Sequence, residues 1–261
     1  MLRSSSKTFT VMTINLRHGW ADDGLNSWDI RKGLVVKIIH DLQPDFLGTQ
    51  EGNDFQLEYL SKNLKNYECA GVCGGYEPRW EYLNIYHRKG LELLDWEYFY
   101  LSETPDIPSR SWGSIWPRGC FKGIFKWQDK ELVIVNTHFD FQEPAQTNGA
   151  MVILNRLGGP DPERPVILLG DFNSTPEETS YFFLTGKKEI NGQKGWFKDV
   201  FPSPQPFTYH RFTGNPLIGY IDWILYSGPL RVHDKKIVTV HQKGIYPSDH
   251  FPVMAEFSFK R

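Results

Sequence analysis

The chain has 261 residues, of which 40% are apolar and 15% aromatic, and its formal net charge is −2. That apolar share supports a large core and excludes a disordered chain. The near-neutral charge excludes a global basic field, so any anion must be bound locally. Cys69, Cys73 and Cys120 are odd in number and lack metal-ligand spacing, which points to free thiols in a reducing compartment. No run approaches the roughly 18 apolar residues of a membrane span, and Met1–Thr10 lacks the apolar core of a leader. The chain reads as soluble and cytoplasmic.

After a short polar tail, residues 1–8, Phe9–Leu16 reads as a strand ending at Asn15. A loop rich in Gly and Asp spans 19–26. Ile30, Leu34, Val35, Ile38, Ile39 and Leu42 then recur at helical spacing, stopped by Pro44. Asp45–Gln50 reads as a short strand delivering Glu51, and Phe55, Tyr59, Leu60 and Leu64 mark a second helix. Residues 70–80, Gly-rich with Pro78 and Trp80, read as a surface loop. Tyr82–His87 and Leu93–Tyr100 read as strands. Ser102–Pro117, with three prolines and two tryptophans, reads as an irregular substrate-side loop.

Phe121–Trp127 and Glu131–Asn136 read as strands paired about Gln128-Asp129-Lys130, with His138 just past the second. Gln146–Leu157 reads as helix. In Val166-Ile167-Leu168-Leu169-Gly170-Asp171-Phe172-Asn173, four apolar residues predict a buried strand, Gly170 lets the chain turn, and Asp171 and Asn173 emerge at the open end. Thr175, Pro176 and Glu178 spell a helix start with a capping box. Residues 186–219 carry little regular signal. Tyr220–Tyr226 reads as a strand bearing Asp222, and Ile237–His241 as another. In the last strand Val253, Ala255, Phe257 and Phe259 alternate with more polar residues, so one face is expected to be buried. No linker or repeat divides the chain, which reads as one domain over 1–261.

Several apolar strands thus end in a residue of catalytic type: Asn15, Glu51, His138, Asp171 with Asn173, and Asp249-His250 ahead of the last strand. Alone, Asp171 and Asn173 also suit a polar turn that caps itself. The recurrence argues for a site, because neighbouring strands bring their ends together. Such a set suits Mg²⁺, which prefers oxygen ligands and takes one or two carboxylates, and leaves the histidines for acid–base work. Zinc is disfavoured, since no paired Cys or HExxH spacing is present.

Asn15, Gln50-Glu51, Asn136-Thr137-His138, Gly170-Asp171-Phe172-Asn173, Ile221-Asp222-Trp223 and Ser248-Asp249-His250 resemble, in order and spacing, the deoxyribonuclease I-like endonuclease/exonuclease/phosphatase superfamily. Trp28-Asp29-Ile30-Arg31, Thr208–Gly214 and Tyr246–Val253 look like its small bacterial members on the nocturnin and deadenylase side. The resemblance implies a four-layered α/β sandwich, two packed, mainly antiparallel sheets with helices outside and the site at the strand ends. It also implies roles. Glu51 would be the principal ligand of Mg²⁺, for which Mn²⁺ could substitute. Asn15 would lie beside it and Asp249 on the metal side. Asp171 would orient or deprotonate water, Asn173 would hold phosphate, and His250 would contact the scissile phosphate with its tautomer fixed by Asp222. Glu81 would pair with His138, and Arg118 would clamp phosphate through its fork. The general base, Asp171 or a histidine, and the number of metal ions stay open. Members of that branch often carry Leu-Asp-His after the Thr-His pair and Thr-Trp after the clamp arginine, where this chain has Phe139-Asp140-Phe141 and Phe121-Lys122.

The leading expectation is a Mg²⁺-dependent phosphodiesterase or nuclease acting on nucleic acid or nucleotide. A phosphatase for sugar, lipid or nucleotide monoesters is the second reading, and a non-catalytic nucleic-acid or phosphate-binding module the third. Trp80, Trp112 and Trp116 offer faces either for stacking a base or for packing on the core. His18, His40, His87, His210, His233 and His241 read as ordinary polar positions, with His210 in a loop bordering the site. Nothing in the pattern calls for a membrane span or a protein partner.

Overall fold

The computed structural model describes residues 7–71 and 81–260. Most of the Gly-rich stretch expected to form a loop, with Cys73, Pro78 and Trp80, lies outside the described residues. The strands are β1 (Thr8–Asn15), β2 (Phe46–Gly52), β3 (Tyr67–Ala70), β4 (Tyr82–Arg88), β5 (Glu92–Tyr100), β6 (Gly119–Trp127), β7 (Lys130–His138), β8 (Val166–Asp171), β9 (Lys198–Asp199), β10 (Asp222–Ser227), β11 (Leu230–Ile237) and β12 (Val253–Phe259). The helices are α1 (Trp28–Leu42), α2 (Asp54–Asn63), α3 (Ala145–Leu157) and α4 (Thr179–Leu184).

The described residues form two six-stranded sheets, ordered β11-β12-β1-β2-β4-β3 and β5-β6-β7-β8-β10-β9. Each has one parallel pair at its centre, β1/β2 and β7/β8, and antiparallel pairs elsewhere. A parallel pair needs a crossover, and α1 and α3 supply the two. Phe9 and Val11 of β1 face the other sheet, among Phe46, Phe125, Leu169 and Phe257. Met12, Ile14 and Leu16 face Trp28, Val35 and Ile38 of α1 and Leu57 and Leu60 of α2. Beyond the second sheet, Ile153 and Leu154 of α3 and Tyr181, Phe183 and Leu184 of α4 join the core. The order helix, sheet, sheet, helix is the four-layered α/β sandwich that the resemblance implies.

Several elements differ from the expectations. β3 is four residues with little period and had no place in the sequence reading. The strand expected at Ile237–His241 ends at Ile237 and runs back to Leu230. Its Arg231, His233, Asp234, Lys235 and Lys236 hide the apolar period, because β11 is an edge strand that, among the described residues, pairs with β12 on one side. The Thr175 amide does donate to Glu178 Oε2 at 2.6 Å, as a capping box requires. The chain nevertheless turns at Pro176-Glu177, and α4 begins after Glu178. β12 is buried on both faces, since Met254 packs into the helix-side cluster.

Gly170 does not turn the chain. It stays in β8 at φ 147°, where a Cβ would stand 2.0 Å from the Thr137 carbonyl oxygen of β7. Only glycine allows that approach. The sheets themselves are tied by Asn136, buried on β7. Its Nδ2 donates to the Thr49 and Asn84 carbonyls of the opposite sheet, each at 2.9 Å, and its Oδ1 accepts from Gln50 Nε2 at 2.6 Å. Asn136→Ala strands two buried carbonyls and is expected to lower the unfolding free energy by about 3 kcal/mol. Thr137→Ala, which loses a bond to the Gly119 carbonyl within one sheet, should cost about 1 kcal/mol. Urea unfolding measures both, and equal losses would remove the cross-sheet argument.

Candidate active site

The two parallel pairs end at the same edge of the sandwich. Asn15 closes β1, and His138 and Asp171 face each other in register at the ends of β7 and β8. Asp222 opens the antiparallel β10 directly opposite Asp171. His250 precedes β12, whose Val253 pairs with Thr13 of β1. The period of two places Asn15 with Phe9 and Val11, and Asp171 with Leu169, on the face between the sheets.

Glu51 breaks that rule. Gly48 and Gln50 point toward the second sheet, so strict alternation would turn Glu51 toward the helices. The pairing of β2 with β4 shifts register between Thr49 and Gly52, and Glu51 adopts φ 60°. This bulge re-aims its carboxylate into the site. Asn15 Nδ2 then donates to Glu51 Oε1 at 2.8 Å and to Asp171 Oδ2 at 2.9 Å, while the His18 amide donates to Glu51 Oε2 at 2.9 Å. Burial opposes ionisation of Glu51, yet the neighbouring histidines and these two bonds hold its pKa down at about 2. For Asp171 burial prevails, reinforced by the Asp222 charge, and its pKa is pushed up to about 7.

The His250 and Asp222 side chains meet at 2.9 Å, Nδ1 to Oδ2. Burial would lower the imidazole pKa, but the Asp222, Asp171 and Asp249 carboxylates outweigh it and hold it well above its ordinary value. His250 is thus a cation donating Nδ1–H to Asp222, whose own backbone amide is held by Thr208 Oγ1 at 3.1 Å. His138 is the opposite case. Burial and the Arg118 charge push its pKa well below the ordinary value, so it is neutral.

The pairing expected between Glu81 and His138 does not form a hydrogen bond. Glu81 Oε2 is 3.9 Å from His138 Nδ1, and Arg118 Nη1 takes that nitrogen at 3.1 Å. Arg118 also faces Glu81 at 3.7 Å and Asp140 at 3.8 Å. Burial and the Glu51 charge push the Glu81 pKa up to about 7. Asp249, expected on the metal side, directs its carboxylate toward Arg17 at 3.9 Å, and burial raises its pKa. Asn173, at φ 45°, donates Nδ2–H to the Phe139 carbonyl at 3.0 Å and its amide to Asp171 Oδ1 at 2.9 Å.

Among the described residues, two groups of three present ligand atoms within 4.8 Å of one another: Glu51, His138 and Asp171, and Asp171, Asp222 and His250. The first fits a divalent cation, because it centres on an ionised carboxylate whose oxygens face a second carboxylate. In the second, the histidine is engaged by Asp222.

The sequence reading missed the supports of this site. Arg31, fully buried on α1, donates to the carbonyls of Leu16, Arg17, Asn26 and Pro247, at 2.6, 2.8, 2.9 and 2.9 Å. It ties the loop after β1 to the loop carrying Asp249 and His250. Its place in the Trp-Asp-Ile-Arg motif was the available signal. Also missed was Trp20, which with Phe141 and Trp116 lines a cavity of about 1320 Å³ that opens beside Glu51, Glu81, Arg118 and His138. These three rings are 52%, 57% and 61% exposed, in that order.

The sequence profile of the Endonuclease/Exonuclease/phosphatase family matches residues 12–250. An endonuclease/exonuclease/phosphatase from Bacteroides vulgatus is similar over 97% of this chain and 99% of its own, with 28% identity and a TM-score of 0.87. A mannosyl-6-phosphatase from Bacteroides thetaiotaomicron is similar over 96% of this chain and 100% of its own, with 28% identity and a TM-score of 0.86. Protein angel of Drosophila melanogaster is 28% identical over 170 residues, 62% of this chain. The alignments span 66% and 48% of the length of the two curated relatives matched.

His210, in the loop beside His250, is buried against Phe251 with ring centroids 3.8 Å apart, and its Nδ1 accepts the Gly214 amide at 3.2 Å. Burial first, and then the His250 charge, lower its pKa to about 4. A folded-state pKa below the unfolded 6.5 means the unfolded chain binds more protons between those values. The contribution of His210 is therefore complete above pH 6.5 and is lost as pH falls toward 4, on the order of 3 kcal/mol. On unfolding, His210→Phe should take up about one proton fewer in this window, flattening the pH dependence of urea unfolding between 6.5 and 4. An unchanged slope would contradict the neutral imidazole.

Proposed function

We propose a mechanism from one premise: this chain belongs to the Endonuclease/Exonuclease/phosphatase family and is a phosphoester hydrolase. The observation that carries it is the division of charge across Asn15. Its amide joins Glu51, held ionised, to Asp171, whose pKa burial raises, with the cationic His250 opposite.

In this reading Glu51, with Asp171 and Asn15 beside it, would hold Mg²⁺, which supplies charge neutralisation on the phosphate oxygens when bound. Asp171 accepts the proton of the attacking water as the general base. The Asn15 and Asn173 amide donors orient its two oxygens for that task. His250 directs Nε2–H to a phosphoryl oxygen, and Asp222 on Nδ1 fixes that orientation. Its positive charge stabilises the pentacoordinate phosphorus as negative charge builds. Arg118 presents donors to the phosphate from the His138 side.

The substrate is a compact phosphoester, with a monoester favoured over a long polynucleotide. The cavity beside Glu51 is walled by aromatic rings. Two of its three arginines are already matched by acids, Arg17 by Asp23 at 3.0 Å and Arg118 by Glu81 and Asp140, so little net positive charge is left for a polyanion. The likeness to a sugar phosphatase along the whole chain supports the same reading.

Phosphate release with Mg²⁺, Mn²⁺ or EDTA tests this on a hexose 6-phosphate, a nucleoside monophosphate, a generic diester, single-stranded RNA and duplex DNA. Mg²⁺-dependent release from the monoesters is expected, with EDTA abolishing it. Asp171→Asn, His250→Ala and Glu51→Gln should each lower kcat on the order of 10³-fold with the fold retained. Undiminished turnover in EDTA, or in the folded Asp171→Asn protein, would sink the mechanism. Preference for either nucleic acid would reverse the substrate class.

A further inference from the structure

The loop that follows β5, residues 101–118, supplies one whole side of the cavity: Pro108, Ser109, Arg110, Ile115, Trp116, Pro117 and Arg118. Trp116 and Ile115 are exposed, so core packing does not hold them in place. They are held by hydrogen bonds from behind. Asp140, 2% exposed, lies two residues after His138. Its Oδ2 accepts the Ile115 amide at 3.1 Å and lies 2.8 Å from Ser114 Oγ, which in turn is 2.7 Å from the Trp116 carbonyl. The same Oδ2 faces Arg118 Nε at 3.8 Å. Arg118 is thereby set between His138 Nδ1 at 3.1 Å and the Phe141 ring, 5.2 Å from the guanidinium carbon.

We infer that Asp140 is a positioning residue that sets substrate specificity, by fixing the Ile115–Trp116 wall relative to the His138–Arg118 pair. The cavity then accepts the ring of a ring-bearing alcohol whose phosphate lies at Glu51 and Asp171. The proposal rests on the phosphoester-hydrolase reading and deepens it. Two arguments assign the ring to this side. Trp20, Phe141 and Trp116 are partly exposed aromatic rings lining one cavity, where a ring gains dispersion and desolvation that a short polyol cannot. And a single buried carboxylate holds that wall by hydrogen bonds while facing Arg118 at 3.8 Å, so the wall is built at a fixed distance from that guanidinium.

The geometry also separates the two jobs of Asp140. Its Oδ1 has no hydrogen-bond partner among the described residues. Asp140→Asn can therefore keep its carbonyl oxygen toward Ser114 and Ile115 and place the amide group where no bond is displaced. Asp140→Ala loses the wall. Ser114→Ala weakens it from the other side with Asp140 intact.

The test uses the full chain and two readouts. Hydrogen exchange reads the Ile115 amide directly: protection is expected in the wild type and Asp140→Asn, and its loss by tenfold or more in Asp140→Ala. Steady-state kinetics compare a hexose 6-phosphate and a nucleoside monophosphate with glycerol phosphate, which has no ring. Asp140→Ala should raise KM for whichever ring-bearing ester the wild type prefers by about tenfold relative to glycerol phosphate. Asp140→Asn should restore it, and Ser114→Ala should shift it in the same direction by a smaller factor. Adding Trp116→Ala to Asp140→Ala should give no further rise in KM, because both remove one wall. Protected Ile115 in Asp140→Ala, an equal rise in KM on all three esters, or additive KM effects would each overturn the positioning role. If no ester is hydrolysed, the functional reading fails, and the exchange result alone decides whether Asp140 holds the wall.

Discussion

The buried amide of Asn136 is the contact on which the site depends. It spends both donors on the Thr49 and Asn84 carbonyls of the opposite sheet and its oxygen on Gln50. Those carbonyls flank the place where β2 and β4 lose register. Each would cost about 1–3 kcal/mol if left unpaired in the core. Glu51, one residue beyond Gln50, adopts φ 60°, a conformation that costs a non-glycine residue about 1–2 kcal/mol. The cross-sheet bonds outweigh that strain. The bulge persists because the packing of two sheets requires it, and the bulge is what turns Glu51 toward Asp171.

Three carboxylates and two imidazoles share this buried edge, and their environments drive them apart. Glu51 receives donors on both oxygens and is ionised. Asp171 also receives donors, but Asp222 stands beside it and its pKa rises toward neutrality. His250 is charged because Asp222 is in contact, and His138 is neutral because it is buried and Arg118 stands beside it. Such a cluster is costly to fold around, and the expense is characteristic of a site selected for chemistry over stability. The supports are correspondingly heavy. Arg31 alone satisfies four loop carbonyls, and Thr208 anchors the start of β10.

The fold delivers this edge twice. Each sheet centres on a parallel pair with a helical crossover, and a parallel pair puts two strand ends at one side. Asn15 and Glu51 come from one pair, His138 and Asp171 from the other. The antiparallel neighbours β10 and β12 then enter from the same side, bringing Asp222 and His250. Beside this edge the irregular segment after β5 builds one wall of the cavity.

Alternation, helical spacing and strand-end polarity made much of this legible in the chain. β1, β4 and β8 carry branched, apolar residues, and α1 a buried stripe broken only by the exposed Ile30. The short β3 and the charged edge β11 were obscure, because an edge strand owes its position to one neighbour and needs no apolar period. The proline after Thr175 carried a cap whose hydrogen bond exists without the helix it usually starts. By itself the sequence determined which residues stand at strand ends, since a period of two and a turn are local properties. Only the tertiary structure decided that a bulge redirects Glu51, that Arg118 displaces Glu81 from His138, and that Trp20, Trp116 and Phe141 border one cavity. Those outcomes depend on side chains up to a hundred residues or more apart competing for the same space and the same lone pairs, which no local pattern encodes.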